Sequence, residues 1–155
     1  MEDVDRRAFL KMVGVVSGSV AVGAATPAIA LAFRGPDVLA FRAVGGLPAS
    51  GLPAYASYVL QGSVNLATRS GVLTRTVYAG APDAPSEFAL PGLSRVIRVT
   101  DVRVAGSVVD ITGVIDDRSQ LAAGESAFVA FRVDRAAGTV RAPFIASEVS
   151  LQIRG

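Results

Sequence analysis

The 155-residue chain has no cysteine, no histidine and no tryptophan, a single lysine, and two methionines that both fall within the first twelve positions. Each absence removes chemistry. Without His there is no Ser-His-Asp triad and no imidazole base poised near neutral pH. Without Cys there is no thiolate nucleophile, no disulfide and no cysteine-held Fe–S cluster. Zinc and copper sites built from His, Cys or Met are excluded after residue 30, as are His- or Met-ligated haems. No cofactor is expected. Charge is sparse as well. After residue 30, twelve Arg face ten Asp and Glu, and the net +2 is dispersed. That balance is too mild for a nucleic-acid groove, so no nucleic-acid partner is expected.

What is present begins with an address. Arg6 and Arg7 are followed by Phe9, Leu10 and Lys11, then by an uncharged run of small and apolar residues from Met12 to Ala25. Thr26 and Pro27 precede Ala28-Ile29-Ala30, a small-x-small cleavage site; Ala30-Leu31-Ala32 offers a second. The whole run resembles a bacterial twin-arginine (Tat) export signal, with Asp5 where such signals usually carry Ser or Thr. That resemblance implies the Tat translocase as a transient partner. It also implies a periplasmic, extracellular or cell-envelope destination. The run from Met12 to Leu31 is near the length that spans a bilayer, yet Gly14, Gly18, Gly23 and Pro27 make it weakly hydrophobic. Membrane contact is therefore expected only in transit, or through a signal left uncleaved.

Three segments follow from this: a signal over 1–30, an N-terminal strand and Gly/Pro loop over 31–54, and an antiparallel β-domain over 55–155. The last two form one domain, because about 125 residues suffice for a single core.

Past the signal the pattern has the two-residue period of strands. Strands are predicted over 37–44, 58–66, 72–78, 94–104, 108–115, 127–134, 139–145 and 148–154, with at most a short edge strand over 87–90. In 94–104 the alternation changes phase: Ile97 and Val99 share one face, Val102 and Val104 the opposite parity. A β-bulge near Thr100 reconciles the two halves. The last strand places Val149, Leu151 and Ile153 inward and Glu148, Ser150, Gln152 and Arg154 outward. Short turns join most strands, so neighbours are antiparallel, and the fold is an all-β barrel or β-sandwich of about eight strands. The bulged long strand and repeated hairpins favour the barrel.

Carboxylates, arginines and hydroxyls are the chemistry that remains. The densest group is Asp116-Asp117-Arg118-Ser119 with Glu125 in the same loop. As a functional set, Asp116, Asp117 and Glu125 are the candidates for a hard cation such as calcium, or for carboxylate hydrolysis. As a structural set, the aspartates cap a turn and Glu125 faces water. Arg95, Arg98 and Arg103 on one strand, Arg132 and Arg135 on another, and Arg141 form either an anion-binding stripe or a row of cross-strand ion pairs, as Arg132 would with Asp110. Arg95 and Arg103 share a parity. The segment 45–53, rich in Gly, Pro and Leu, is either a plain connector or a cover over a barrel mouth.

This inventory predicts a small exported all-β protein. Its expected role is that of a non-catalytic binding or structural module of the cell envelope, taking a small apolar ligand or an envelope protein as partner. The alternative is a small carboxylate-based hydrolase or calcium-dependent module using the Asp116–Glu125 loop.

Overall fold

A computed structural model describes residues 32–33, 37–47, 56–82 and 84–155 of the chain. The export-signal residues and the 48–53 part of the Gly/Pro segment lie outside them. Among the described residues there is no helix, and ten strands account for nearly all of the regular structure.

The β3–β4 hairpin shows how the sequence builds the sheet. β3 (Ala56–Asn65) and β4 (Ser70–Ala81) pair in continuous antiparallel register from Ala56↔Ala79 to Asn65↔Ser70. The Asn65 side-chain carbonyl accepts hydrogen bonds from the backbone N–H of Ala67 (3.0 Å) and Thr68 (2.9 Å), which tightens the turn. Tyr58, Leu60 and Val64 point inward from β3, and Leu73 and Val77 from β4. The predicted alternation of Tyr58, Leu60 and Val64 is the observed one.

The same period repeats around the molecule. β2 (Val38–Gly46), β3, β4, β6 (Arg95–Ala105), β7 (Val108–Ile115), β8 (Phe128–Asp134), β9 (Thr139–Phe144) and β10 (Ser147–Ile153) pair in that order, every pair antiparallel. The circuit closes where Gln152 and Ile153 of β10 pair with Val44 and Ala43 of β2. The fold is an eight-stranded closed antiparallel barrel, one of the two architectures the sequence left open. β5 (Ala84–Ala89) stands outside the circuit as an extra strand on β4, and β1 (Ala32–Phe33) pairs with Leu39 and Ala40 of β2.

The expected bulge is present: β6 and β7 slip register between Val99 and Asp101, on either side of Thr100. The slip lets both Val99 and Val102 face the core despite their opposite parity. Eight strands leave an interior just wide enough for side chains to fill. Here one cluster fills it, with contributions from all eight barrel strands, among them Leu39, Leu60, Ile111, Phe131, Val140 and Leu151. Gly62, at φ +151°, brings β3 so close to β4 that an added Cβ would lie 2.2 Å from the Val72 carbonyl oxygen.

Candidate functional site

Two arginines break the apolar interior. Arg75 continues the inward row of Leu73 and Val77 on β4, and Arg95 begins the inward row of Ile97 and Val99 on β6. They are direct partners in the β4–β6 ladder, and each residue is nearly sealed from solvent, at 2% and 4% exposed. Ions at such depth are costly unless paired and hydrogen-bonded.

The partner is Glu125. The loop between β7 and β8 folds over this end of the barrel through Leu121 N–H to the Arg118 carbonyl and Glu125 N–H to the Ala122 carbonyl (3.0 Å). Gly124 turns there at φ +81°. The Glu125 side chain is 2% exposed and accepts four hydrogen bonds. Arg95 donates from Nε to Oε1 (3.1 Å) and from Nη2 to Oε2 (2.8 Å), Arg75 donates from Nη2 to Oε1, and the Ala122 N–H donates to Oε2 (2.9 Å). Arg95 also donates to the carbonyls of Gly92, Ser94 and Gln120 (2.7–2.9 Å), tying the loops on either side of β6 and β7 to one guanidinium.

One carboxylate facing two guanidiniums leaves an excess positive charge. The Arg75 guanidinium lies over the rings of Tyr58 (5.9 Å) and Phe144 (5.8 Å), whose π faces oppose that charge. Those rings meet edge-to-face at 5.7 Å, and the Tyr58 hydroxyl donates to the Pro143 carbonyl (3.1 Å). Burial pushes the Glu125 carboxyl up, but the hydrogen bonds from Arg95, Ala122 and Arg75, together with the Arg75 charge, prevail and hold it at about 2. Burial raises the Tyr58 phenol well above its ordinary value, only partly opposed by Arg75. Glu125 is therefore an ionised strut across the barrel end, and the expectation that it faces water is corrected.

The other two predicted residues sit elsewhere. Asp116 is exposed and pairs with Arg98 (3.2 Å). Asp117 is exposed and accepts hydrogen bonds from the Ser119 hydroxyl (2.6 Å) and N–H (2.9 Å), contacts that lower its carboxyl. Both line a cleft of about 470 Å3 with Thr74, Thr76, Ser94 and Gln120. The loop thus separates Asp116 and Asp117 from Glu125 rather than gathering them. Among the described residues no group of three or more carboxylates is placed to hold a metal ion.

The arginine stripe is broken up. Thr100's bulge places Arg95 inside and Arg103 outside despite their shared sequence parity. Arg98 pairs with Asp116, Arg103 with Asp101 (3.4 Å), and Arg132 forks onto Asp110 (2.7 and 3.2 Å). The Arg132 hydrogen bond, the largest influence on Asp110, lowers that carboxyl. The cross-strand pairing expected for Arg132 and Asp110 is the observed one.

On the outer wall the ladders align Val72, Arg98, Val114 and Phe128 across β4, β6, β7 and β8. Val96 lies beside this row, and Val72, Val96 and Phe128 are exposed; the Arg118 guanidinium covers the Phe128 ring at 5.7 Å. Arg75 is the site residue that sequence reading missed. Its signal was an arginine at the parity of Leu73 and Val77. No protein-family model, curated protein or solved structure matches the chain.

Proposed function

We propose that this chain is an exported, non-catalytic barrel module of the cell envelope that works through its outer surface, with another envelope protein as partner. The observation that carries this reading is the filled interior. The space in which a small apolar ligand would sit holds a continuous cluster of core side chains. The ionisable group at the barrel end is held by its own partners. The outer surface chosen for recognition is the row of Val72, Arg98, Val114 and Phe128 with Val96 beside it, where Arg118 covers the Phe128 ring.

The carboxylate-hydrolase and calcium readings have less support. A general acid needs a raised pKa, whereas Glu125 is held at about 2 by two arginines. Asp116 and Asp117 share a cleft without a third carboxylate.

The test is native mass spectrometry of the protein recovered from the envelope of its own producer, beside a variant carrying Arg6→Lys and Arg7→Lys. The reading expects the native chain outside the cytoplasm in complex with a protein, and the variant retained in the cytoplasm. A bound lipid-like mass would replace surface recognition with cargo binding. A native chain confined to the cytoplasm would remove the export reading.

A further inference from the structure

The charges at the barrel end do not balance. Arg75, Arg95 and the Glu125 side chain are nearly sealed from solvent, two cations around one anion. Neither guanidinium can shed its charge, because arginine stays protonated in proteins. The other carboxylates of the loop do not make up the difference: Asp116 is engaged with Arg98 at the surface, and Asp117 with Ser119. Tyr58 does not either, since burial keeps its phenol protonated and the hydroxyl donates to the Pro143 carbonyl.

The hydrogen bonds are divided as unevenly as the charges. A guanidinium carries five N–H donors. Arg95 makes five hydrogen bonds, to both Glu125 oxygens and to the carbonyls of Gly92, Ser94 and Gln120. Glu125 accepts four, which fills a carboxylate. Arg75 reaches Glu125 through Nη2, and its Nε–H is buried with no acceptor among the described residues. The Tyr58 and Phe144 rings oppose the Arg75 charge, but a ring face is only a weak acceptor for an N–H.

One side chain thus holds both the surplus charge and the unmatched buried donor, and each is costly alone. Water would satisfy the N–H and leave the charge. A divalent anion would overshoot the charge, and a bulky one would not enter. We propose that the barrel end is a binding site for one small monovalent anion of the halide class, held at the Arg75 Nε–H. Bound there, the anion completes the cluster that ties the loop between β7 and β8 to the barrel, so the stability of that end depends on it. The site is independent of the surface-recognition reading above.

The experiment is the thermal melt of the purified full-length chain in sodium chloride, sodium bromide and sodium gluconate. All three are held at a common ionic strength of about 0.15 M, so that screening is equal. Gluconate is too bulky for a sealed site. Two variants run beside the native chain. Arg75→Met leaves Arg95 and Glu125 balanced one to one, and the triple variant Arg75→Met, Arg95→Met, Glu125→Leu carries no charge in the cluster. If Arg75→Met does not fold, the triple variant serves as the comparison. The proposal expects the native Tm to stand about 3 °C or more higher in both halides than in gluconate, rising with halide concentration as for a bound ligand. Neither variant should show that advantage. An equal halide advantage in native chain and variants is a general salt effect and overturns the proposal. A native chain with no halide advantage also overturns it, the Arg75 Nε–H then being served by water.

Discussion

Arg75 and Arg95 are directly opposed in the β4–β6 ladder, and both reach inward to the single carboxylate of Glu125. Two facing strands thus each place a cation at a core position, and a loop contributes the anion from 50 residues beyond Arg75 and 30 beyond Arg95. The arrangement ties the 116–127 loop to the barrel end. Its energetic character follows from burial, since solvent cannot take over when one member is removed.

Glu125→Gln keeps the shape and removes the negative charge, leaving two buried arginines opposed only by rings and carbonyls. Breaking a buried ion pair from one side costs about 3–5 kcal/mol. Urea unfolding followed by circular dichroism should show the midpoint falling accordingly. The triple variant Arg75→Met, Arg95→Met, Glu125→Leu should recover most of that loss, because an apolar replacement of the whole set strands no charge. Equal destabilisation of both variants would contradict the ion-pair account and favour a simple packing role.

The acid limb of stability belongs mainly to the same group. The Glu125 carboxyl ordinarily titrates at 4.5 and sits at about 2 in the fold, so the unfolded chain takes up its proton first. Its stabilising contribution is fully present above 4.5 and disappears as pH falls through 2. Asp110 and Asp117, both lowered, act in the same direction from exposed positions. Tyr58 sets the opposite limb: its raised pKa adds stability that is complete below 10.0 and declines above it. With no histidine to titrate between, Tm should be flat from about pH 5 to 9. Tm measured from pH 2 to 11 checks this, and Glu125→Gln should flatten most of the acid limb. A native maximum confined to pH 5–6 would be inconsistent with these assignments.

Much of the barrel was legible because its strands alternate. β7 runs over Val108–Ile115 as expected, and the inward Val149, Leu151 and Ile153 are where period-2 reading puts them. The choice of barrel over sandwich was less accessible. It depends on β10 meeting β2, a pairing of Gln152 with Val44 that no local pattern encodes. Arg75 escaped notice because both parities of its strand carry apolar residues, Val72 and Tyr78 on one and Leu73 and Val77 on the other. Glu125 stood out as a residue, but its partners lie on strands distant in sequence. Arg95 stands in phase with Ile97 and Val99, all three ahead of the bulge, which is the sign of an inward arginine.

Thr100 is the extra residue that makes the two halves of β6 compatible. Deleting it would join Val99 to Asp101 in plain two-residue alternation against Gly113 and Thr112, leaving Val99 and Val102 both inward and removing only the bend and extra twist of the bulge. Deletion of Thr100 should keep unfolding cooperative but lower Tm, because the bend that helps the long strand close the barrel is lost. Thr100→Ala, which keeps the residue count and loses only a long hydroxyl contact to the Thr112 carbonyl (3.3 Å), should change Tm little. Paired thermal melts separate the two cases. A cooperative, near-native transition for the deletion would show that the bulge is dispensable.

Ile145 turns β9 into β10 at φ +54°, a left-handed conformation that a β-branched side chain tolerates poorly. For ordinary L-residues that region costs roughly 1–2 kcal/mol, and glycine avoids the penalty. Ile145 is only half-buried, so its removal forfeits part of an apolar contact rather than a core position. Ile145→Gly should therefore stabilise the barrel by up to about 1 kcal/mol, the strain relief exceeding the lost contact and the added chain entropy. Gly138→Ala supplies the converse. That glycine, at φ +66°, has open space around an added Cβ, so strain alone acts and the variant should lose about 1 kcal/mol. Opposite shifts in the urea midpoint of the two variants are the expected outcome. If Ile145→Gly lowers stability as much as Gly138→Ala does, side-chain contact governs the β9–β10 turn and backbone strain does not.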